Sequence, residues 1–242
     1  MVIFFIKDNI FQIIKFTIFE IIAGEQFKSG KYLPRWLLDI KKYFKTQSRF
    51  PIIKRKPLKE KKRCGWSTTD PLYIDYHDNE WGIPLHDDRK LFEMLILEGF
   101  QAGLSWITIL RKRENFRKAF DNFVAEKIAA YDKKKVNSLL KDEGIIRNRL
   151  KIEAAITNAR TFLKVKEEHG SFDNYIWKFV NYKPVKNKFN SLKEIPAQTV
   201  ISDEMSKALK KDGFKFVGST ICYAFMQATG MVIDHISICW KY

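Results

Sequence analysis

The sequence predicts an all-α domain over residues 63–242, on three observations. Apolar residues recur at helical spacing in successive segments, and no segment alternates convincingly with the period of two expected of a half-buried strand. The helical segments are separated by short breaks, and no internal repeat is present.

Taken in order, residues 91–97 (LFEMLIL) read as a mostly buried helix, and residues 106–120 set apolar side chains beside basic ones. Helical periodicity returns over residues 125–141 after an Asp121-Asn122 break, and Gly144 interrupts it. Residues 148–163 resume as a helix, so Glu143, Gly144, Ile145, Ile146 and Arg147 form a tight hairpin between two helices. Ser202 reads as an N-cap for residues 205–211, with Gly213 closing that helix. Residues 220–228 (TICYAFMQA) form an apolar helix, which makes Cys222 a buried small residue rather than a ligand.

Charge sets the class of partner. Lys and Arg total 44 against 28 Asp and Glu, a net +16, the balance expected of a protein that meets polyanions. Residues 1–62 hold 15 basic and 5 acidic residues, so the tail inflates the surplus. Lysine far outnumbers arginine, and Ile, Phe and Asn are also plentiful, so part of the excess is compositional bias. Residues 2–23 are rich in Ile and Phe, but Lys7, Asp8, Lys15 and Glu20 interrupt every window long enough to span a bilayer. The segment also lacks the layout of a signal or transit peptide. Asp8, Gln12 and Lys15 fall at helical spacing, which allows an amphipathic helix on a membrane or on the body; a poorly ordered extension is the simpler reading. Residues 41–62 mix basic runs with Pro51 and Pro57 and read as a solvated linker, able to add non-specific phosphate affinity. The expected organisation is therefore a basic extension and linker over 1–62 and one domain over 63–242. Three scattered cysteines exclude a disulfide framework and suit a reducing cytoplasm.

Cys64 and His77 open the domain, while His235 and Cys239, spaced i, i+4 as on one helical face, close it. Two thiolates and two imidazoles suit tetrahedral zinc, and four protein ligands leave no open position for water, the mark of a structural site. By spacing alone the set stays open, because His235 reads equally as a hydrogen-bonded core histidine. His86 and His169 have no partner legible in the sequence and read as surface residues. Glu98 ends an apolar run before Gly99, which suits either a carboxylate at the mouth of a pocket or an ordinary helix-end acid.

Longer motifs carry a resemblance. Arg63-Cys64-Gly65-Trp66, Asp70-Pro71-Leu72-Tyr73 and Tyr76-His77-Asp78-Asn79-Glu80-Trp81-Gly82 resemble the opening of the 3-methyladenine DNA glycosylase I family. The likeness continues through residues 97–106 (LEGFQAGLSW), Gly144-Ile145-Ile146-Arg147 and residues 213–218 (GFKFVG) to Asp234-His235, covering about residues 63–242. Residues 1–62 match nothing in that family.

The resemblance implies a helix-hairpin-helix DNA glycosylase fold with a structural zinc ion joining the two ends of the domain, held by Cys64, His77, His235 and Cys239. It implies hydrolysis of the N-glycosidic bond of N3-methylated adenine in alkylated double-stranded DNA; a monomer is expected, and no protein partner is predicted. Glu98 occupies the position whose carboxylate hydrogen-bonds the edge of the methylated base. Trp66, Tyr73, Tyr76 and Trp106 become pocket walls, with Trp81 as core; stacking on such rings offsets part of the cost of unstacking a nucleotide. Gly144, Arg147 and Lys151, with Arg149, are expected on DNA phosphates, and residues 101–105 as a wedge into the duplex. Two other readings stand beside it. A non-catalytic zinc-stabilised DNA-binding module is opposed by the intact Glu98 and aromatic set. A zinc hydrolase or deaminase needs an open metal position and a His-x-Glu with Cys-x-x-Cys arrangement, which is absent.

Overall fold

Residues 61–67 and 69–242 are described by a computed structural model, so the expectations for the extension and most of the linker lie outside the described residues. The first helix, α1 (Pro71–Asn79), starts where Asp70 accepts the Leu72 amide at 2.9 Å, with proline at the position that needs no donor. Next come α2 (Asp88–Gln101), capped by Asp87, and α3 (Trp106–Ala119). Asp121, Asn122 and Phe123 then all take left-handed φ angles of 51° to 55°, the predicted break, at which asparagine is well tolerated.

The periodic stretch over 125–141 is two helices rather than one. Ala130 to Asp132 separate α4 (Ala125–Ala129) from α5 (Lys133–Leu139), because the Asp132 side chain caps the second by accepting from the Lys135 amide. The long α6 (Arg149–His169) is capped by Asn148. It is followed by α7 (Phe172–Trp177), α8 (Val200–Asp212) and α9 (Ser219–Ala228). The N-cap of α8 is Thr199, three residues ahead of the expected Ser202; Ser202 instead returns a hydrogen bond to the Thr199 amide in a reciprocal box. Gly213 ends α8 as predicted, at φ 108°, a region where a side chain would be strained.

Two elements depart from the all-helical expectation. A parallel pair of two-residue strands joins β1 (Val185–Lys186) to β2 (Val232–Ile233). Beyond β2 the chain turns instead of coiling, so His235 and Cys239 do not share a helix; the Cys239 amide bonds Ile236 O at 2.8 Å and closes a short turn.

The centre of the fold is α2. Every residue from Leu91 to Phe100 is buried, so this stretch of the helix is covered on all sides and packs against α3, α6, α7 and α9. Phe92 meets Phe162 at 4.8 Å between ring centroids, and Phe100 meets Phe116 at 4.8 Å. Each such ring removed from water contributes about 1.5–3 kcal/mol. A second apolar cluster contains Cys64, Tyr76, Trp81, Leu110, Ile236 and Cys239, bordered by Trp66 and Trp106. No helix of the described residues is long and apolar enough to cross a membrane.

Candidate functional site

Two groups of residues meet in that second cluster. The first is Cys64, His77, His235 and Cys239, all buried, whose ligand atoms lie within 4.8 Å of one another. His77 Nε2 stands 3.4 Å from Cys239 Sγ, and His235 Nδ1 stands 3.6 Å from both sulfurs. A tetrahedral zinc with Zn–S near 2.3 Å and Zn–N near 2.0 Å requires S···N separations of about 3.5 Å, so the donor set fits the ion. Burial and the neighbouring Cys239 push the Cys64 thiol up to about 12. Burial and His77 push His235 down to about 4, which keeps its imidazole neutral and able to ligate.

Asp78 aims this cluster. Arg63 grips its carboxylate with Nε at 2.9 Å and Nη2 at 2.7 Å, which holds it well below the usual carboxylate range. Asp78 Oδ1 in turn lies 2.8 Å from His77 Nδ1. A carboxylate there keeps the proton on Nδ1 and leaves Nε2 as the bare donor.

The second group lines a cleft of about 470 Å³: Trp66, Tyr73, Tyr76, Trp81, Trp106 and Glu98, with Gln101, Ser105, Ala224 and Gln227 among the others. Trp66 is the hinge of this aromatic set, 5.5 Å from Tyr73, 6.2 Å from Tyr76 and 5.0 Å from Trp81. Tyr76 meets Trp106 at 5.4 Å, and Trp81 meets His235 at 4.7 Å, so the rings join the cleft directly to the Cys/His cluster. Trp81, expected as core, is 7% exposed and serves both. The Tyr73 hydroxyl accepts the Ile107 amide at 3.2 Å, tying α1 to the start of α3.

Glu98 is at the helix end, but it is buried rather than solvent-facing. It sits inside the last turn of α2, 3% exposed, and its Oε2 has no hydrogen-bond partner. Burial alone pushes its carboxyl up to about 8. Among the described residues, the other buried side-chain polar atom without a partner is Trp106 Nε1, in the same cleft. An orphaned buried polar atom costs about 1–3 kcal/mol, so two of them lining one cleft mark a place shaped for a polar ligand.

The hairpin between α5 and α6 is a turn, as expected. Gly144 has a packing reason to be glycine, since a Cβ there would stand 2.9 Å from Asp142 Oδ1 and 3.0 Å from Asn115 Cβ. Its amide is taken by Asp142 Oδ1 at 2.8 Å, so it does not face outward to a phosphate. Arg147 and Arg149 are exposed. Lys151 corrects the reading more sharply: it is buried, and its Nζ donates to Phe100 O at 2.8 Å and Ala102 O at 2.6 Å, closing the end of α2. His86 also has a partner after all, in Asp173 at 2.9 Å, and stacks on Trp177. Cys222 is buried in α9 as predicted.

Sequence reasoning missed Asp78, Asp234 and Gln227 as individual contributors. Asp78 and Asp234 lay inside quoted motifs, but a role that consists of a partner's position has no one-dimensional signal. Gln227 lies in an apolar helix pattern that gives it no distinct signal.

The methyladenine glycosylase family model matches residues 66–242. DNA-3-methyladenine glycosylase 1 of Escherichia coli (strain K12) is 56% identical over 180 residues, which cover 74% of this chain and 96% of that protein. A crystal structure of 3-methyladenine DNA glycosylase I superposes with a TM-score of 0.74 at 55% identity, covering 75% of this chain and 100% of that one. A tyrosine-to-phenylalanine variant of such an enzyme, solved in complex with 3-methyladenine, superposes with a TM-score of 0.72 at 36% identity, covering 74% and 96%. On its motifs, its fold and these similarities, the chain belongs to the methyladenine glycosylase family.

Proposed function

We infer that this chain is a hydrolase acting on N-glycosyl bonds, which releases N3-methylated adenine from alkylated DNA as a DNA-3-methyladenine glycosylase I. The observation that carries the reading is the cleft: five aromatic rings surrounding a buried, unpartnered carboxyl oxygen and an unpartnered indole N–H. Such a site suits a flat, polar-edged ligand that has left its stack.

An adenine alkylated at N3 is cationic and leaves without being protonated, so the site needs little acid catalysis. The rings of Trp66, Tyr76 and Trp106 stack and orient the extruded base, with Tyr73 as the outer wall. Glu98 takes the polar edge. Its pKa, raised by burial, favours a proton when no cation stands beside it. A cationic base beside it lowers that pKa and draws out the carboxylate, so charge pairing selects the damaged base. Only the part of this pairing that strengthens as the bond breaks accelerates cleavage.

Cys64, His77, His235 and Cys239 would hold one zinc ion. With four protein donors such a site would leave no position for water, so these residues would serve stability by holding the residue 64–77 segment to the residue 235–239 turn. The α5–turn–α6 unit is the helix-hairpin-helix element in this reading. Because the Gly144 amide is taken internally, the phosphate falls to the amides of Ile146 and Arg147 and to the side chains of Arg147 and Arg149. Leu104, 41% exposed in the loop between α2 and α3, supplies the wedge of the 101–105 segment. Three free cysteines, two of them in the ligand cluster, fit a reducing cytoplasm.

The test is incubation of the full chain with DNA treated by a simple methylating agent and identification of the released bases. Release of 3-methyladenine with 7-methylguanine left in place supports the reading. No release from a folded, zinc-loaded sample replaces it with the non-catalytic DNA-binding module.

A further inference from the structure

Glu98 leaves one question of selectivity open. A carboxyl that can carry a proton donates as well as accepts, so by itself it tolerates either an amino group or a carbonyl on the base edge. A selective cleft needs a second group that cannot change its role.

Gln227 meets that description. It lies on α9, three residues after Ala224, and both line the cleft from the same helix face. Its main-chain carbonyl accepts the Gly82 amide at 3.0 Å, anchoring the residue to the Trp81-Gly82 segment. Its side chain is held by Asp234, which is completely buried. Asp234 Oδ2 accepts from Gln227 Nε2 at 2.8 Å and from the Tyr223 hydroxyl at 2.6 Å, while Oδ1 accepts from Asn187 Nδ2 at 2.7 Å. Turning the Gln227 amide over would set its oxygen against a carboxylate oxygen. The amide therefore has one orientation, with its nitrogen on Asp234 and its oxygen left for another partner.

We propose that Gln227 is a specificity-determining residue of the cleft, whose Oε1 accepts a hydrogen bond from the exocyclic amine of the extruded base and so selects a 6-amino purine over a 6-oxo purine. The inference rests on the glycosylase reading above and goes further by naming the group that discriminates. Asp234 is its positioning residue. A 6-oxo base brings a lone pair to a fixed acceptor, an unfavourable contact that no rotation of the amide relieves. The remaining N–H of the amide serves a neighbouring ring nitrogen, the donor–acceptor pattern by which amides read adenine.

The experiment measures binding of two free bases to the full-length protein, 3-methyladenine and 3-methylhypoxanthine, with melting temperature and zinc content followed in parallel. Wild type should prefer 3-methyladenine by about tenfold or more. Gln227→Met, similar in length and apolar, should weaken 3-methyladenine binding by about threefold to tenfold and narrow the preference by a similar factor. Asp234→Asn should narrow the preference while Gln227 is intact, because an asparagine amide can meet either face of Gln227; a purely structural role for Asp234 would weaken both bases alike. Should Gln227→Met not fold, Gln227→Asn, which retracts the amide by one methylene, is expected to give the same narrowing. A preference within twofold of wild type in a folded Gln227 variant overturns the inference and leaves the glycosylase reading standing. Failure of the wild type to bind either base overturns both.

Discussion

Glu93 and Glu98 lie on the same buried helix, five residues apart, and have opposite environments. Glu93 accepts from Arg113 Nε at 2.7 Å and from Arg117 Nη2 at 2.7 Å, as a buried carboxylate in a stable core should. Glu98 Oε2 has no partner. The helix that makes the core thus also carries one uncompensated acid, and the chain tolerates that cost where the cleft lies.

Glu98 should make stability depend on pH with a definite sign. Its folded pKa, about 8, stands above an ordinary value near 4.5, so the folded state holds a proton that the unfolded state has lost in between. Its contribution to stability is therefore full below pH 4.5 and is lost as pH rises toward 8. Glu98→Gln removes that slope. The unfolding free energy of the variant should exceed that of wild type by a margin that grows from pH 5 to pH 8, with an upper bound on the order of 5 kcal/mol. Denaturant titrations at several pH values check this, and parallel curves would refute it. Excision by the same variant, measured separately from binding of the free base, tests catalysis: unchanged excision would sink a catalytic role for Glu98.

Trp106→Phe keeps a stacking ring and removes an indole N–H that has no partner among the described residues. Stability should change by less than about 1 kcal/mol, while affinity for 3-methyladenine should fall by about threefold to tenfold. Calorimetric titration with the free base reads this directly. Equal affinity would mean that the N–H does not meet the ligand.

Asp78→Ala should lower zinc affinity by about 10–100-fold without removing a ligand, because His77 loses the group that fixes its tautomer. Competition with a graded series of chelators measures the change. Stripping zinc from wild type should lower the melting temperature, whereas a metal site that worked on substrate would cost turnover with the fold intact.

Arg147→Ala should reduce the slope of log binding constant against log salt for duplex DNA by about one. Lys151→Met should leave that slope unchanged and instead destabilise the fold by about 1–3 kcal/mol, because the carbonyls of Phe100 and Ala102 lose their buried donor. A salt slope that falls in the Lys151 variant would restore that residue to the DNA-binding face.

Much of this was legible in one dimension because it depended on local or strongly patterned signals. The buried run in α2, the break at Asp121-Asn122, the hairpin after α5 and the glycine closing α8 each followed from periodicity or backbone conformational preference. The four residues of the candidate metal cluster were recognisable by type and, through the family motifs, by place. Their spacing was misleading in one respect. His235 and Cys239 converge through a turn after β2, because the parallel pairing of β2 with β1 sets the chain direction there, a long-range contact that a four-residue spacing does not contain.

Sequence by itself determined the kinds of side chain available: an acid in an apolar helix, an aromatic set, two thiols with two imidazoles, and a basic balance. Tertiary structure alone decided which of them had partners. Glu93 and Glu98 are the same residue type on the same helix, and only the arrival of Arg113 and Arg117 from α3 satisfies one and not the other. Lys151 and Arg147 read alike as basic residues near a hairpin, yet one faces inward to the end of α2 and the other faces solvent. The physical reason is that polar chemistry in a folded chain is set by desolvation and by the nearest complementary group. In this fold those groups come from helices and turns many residues away.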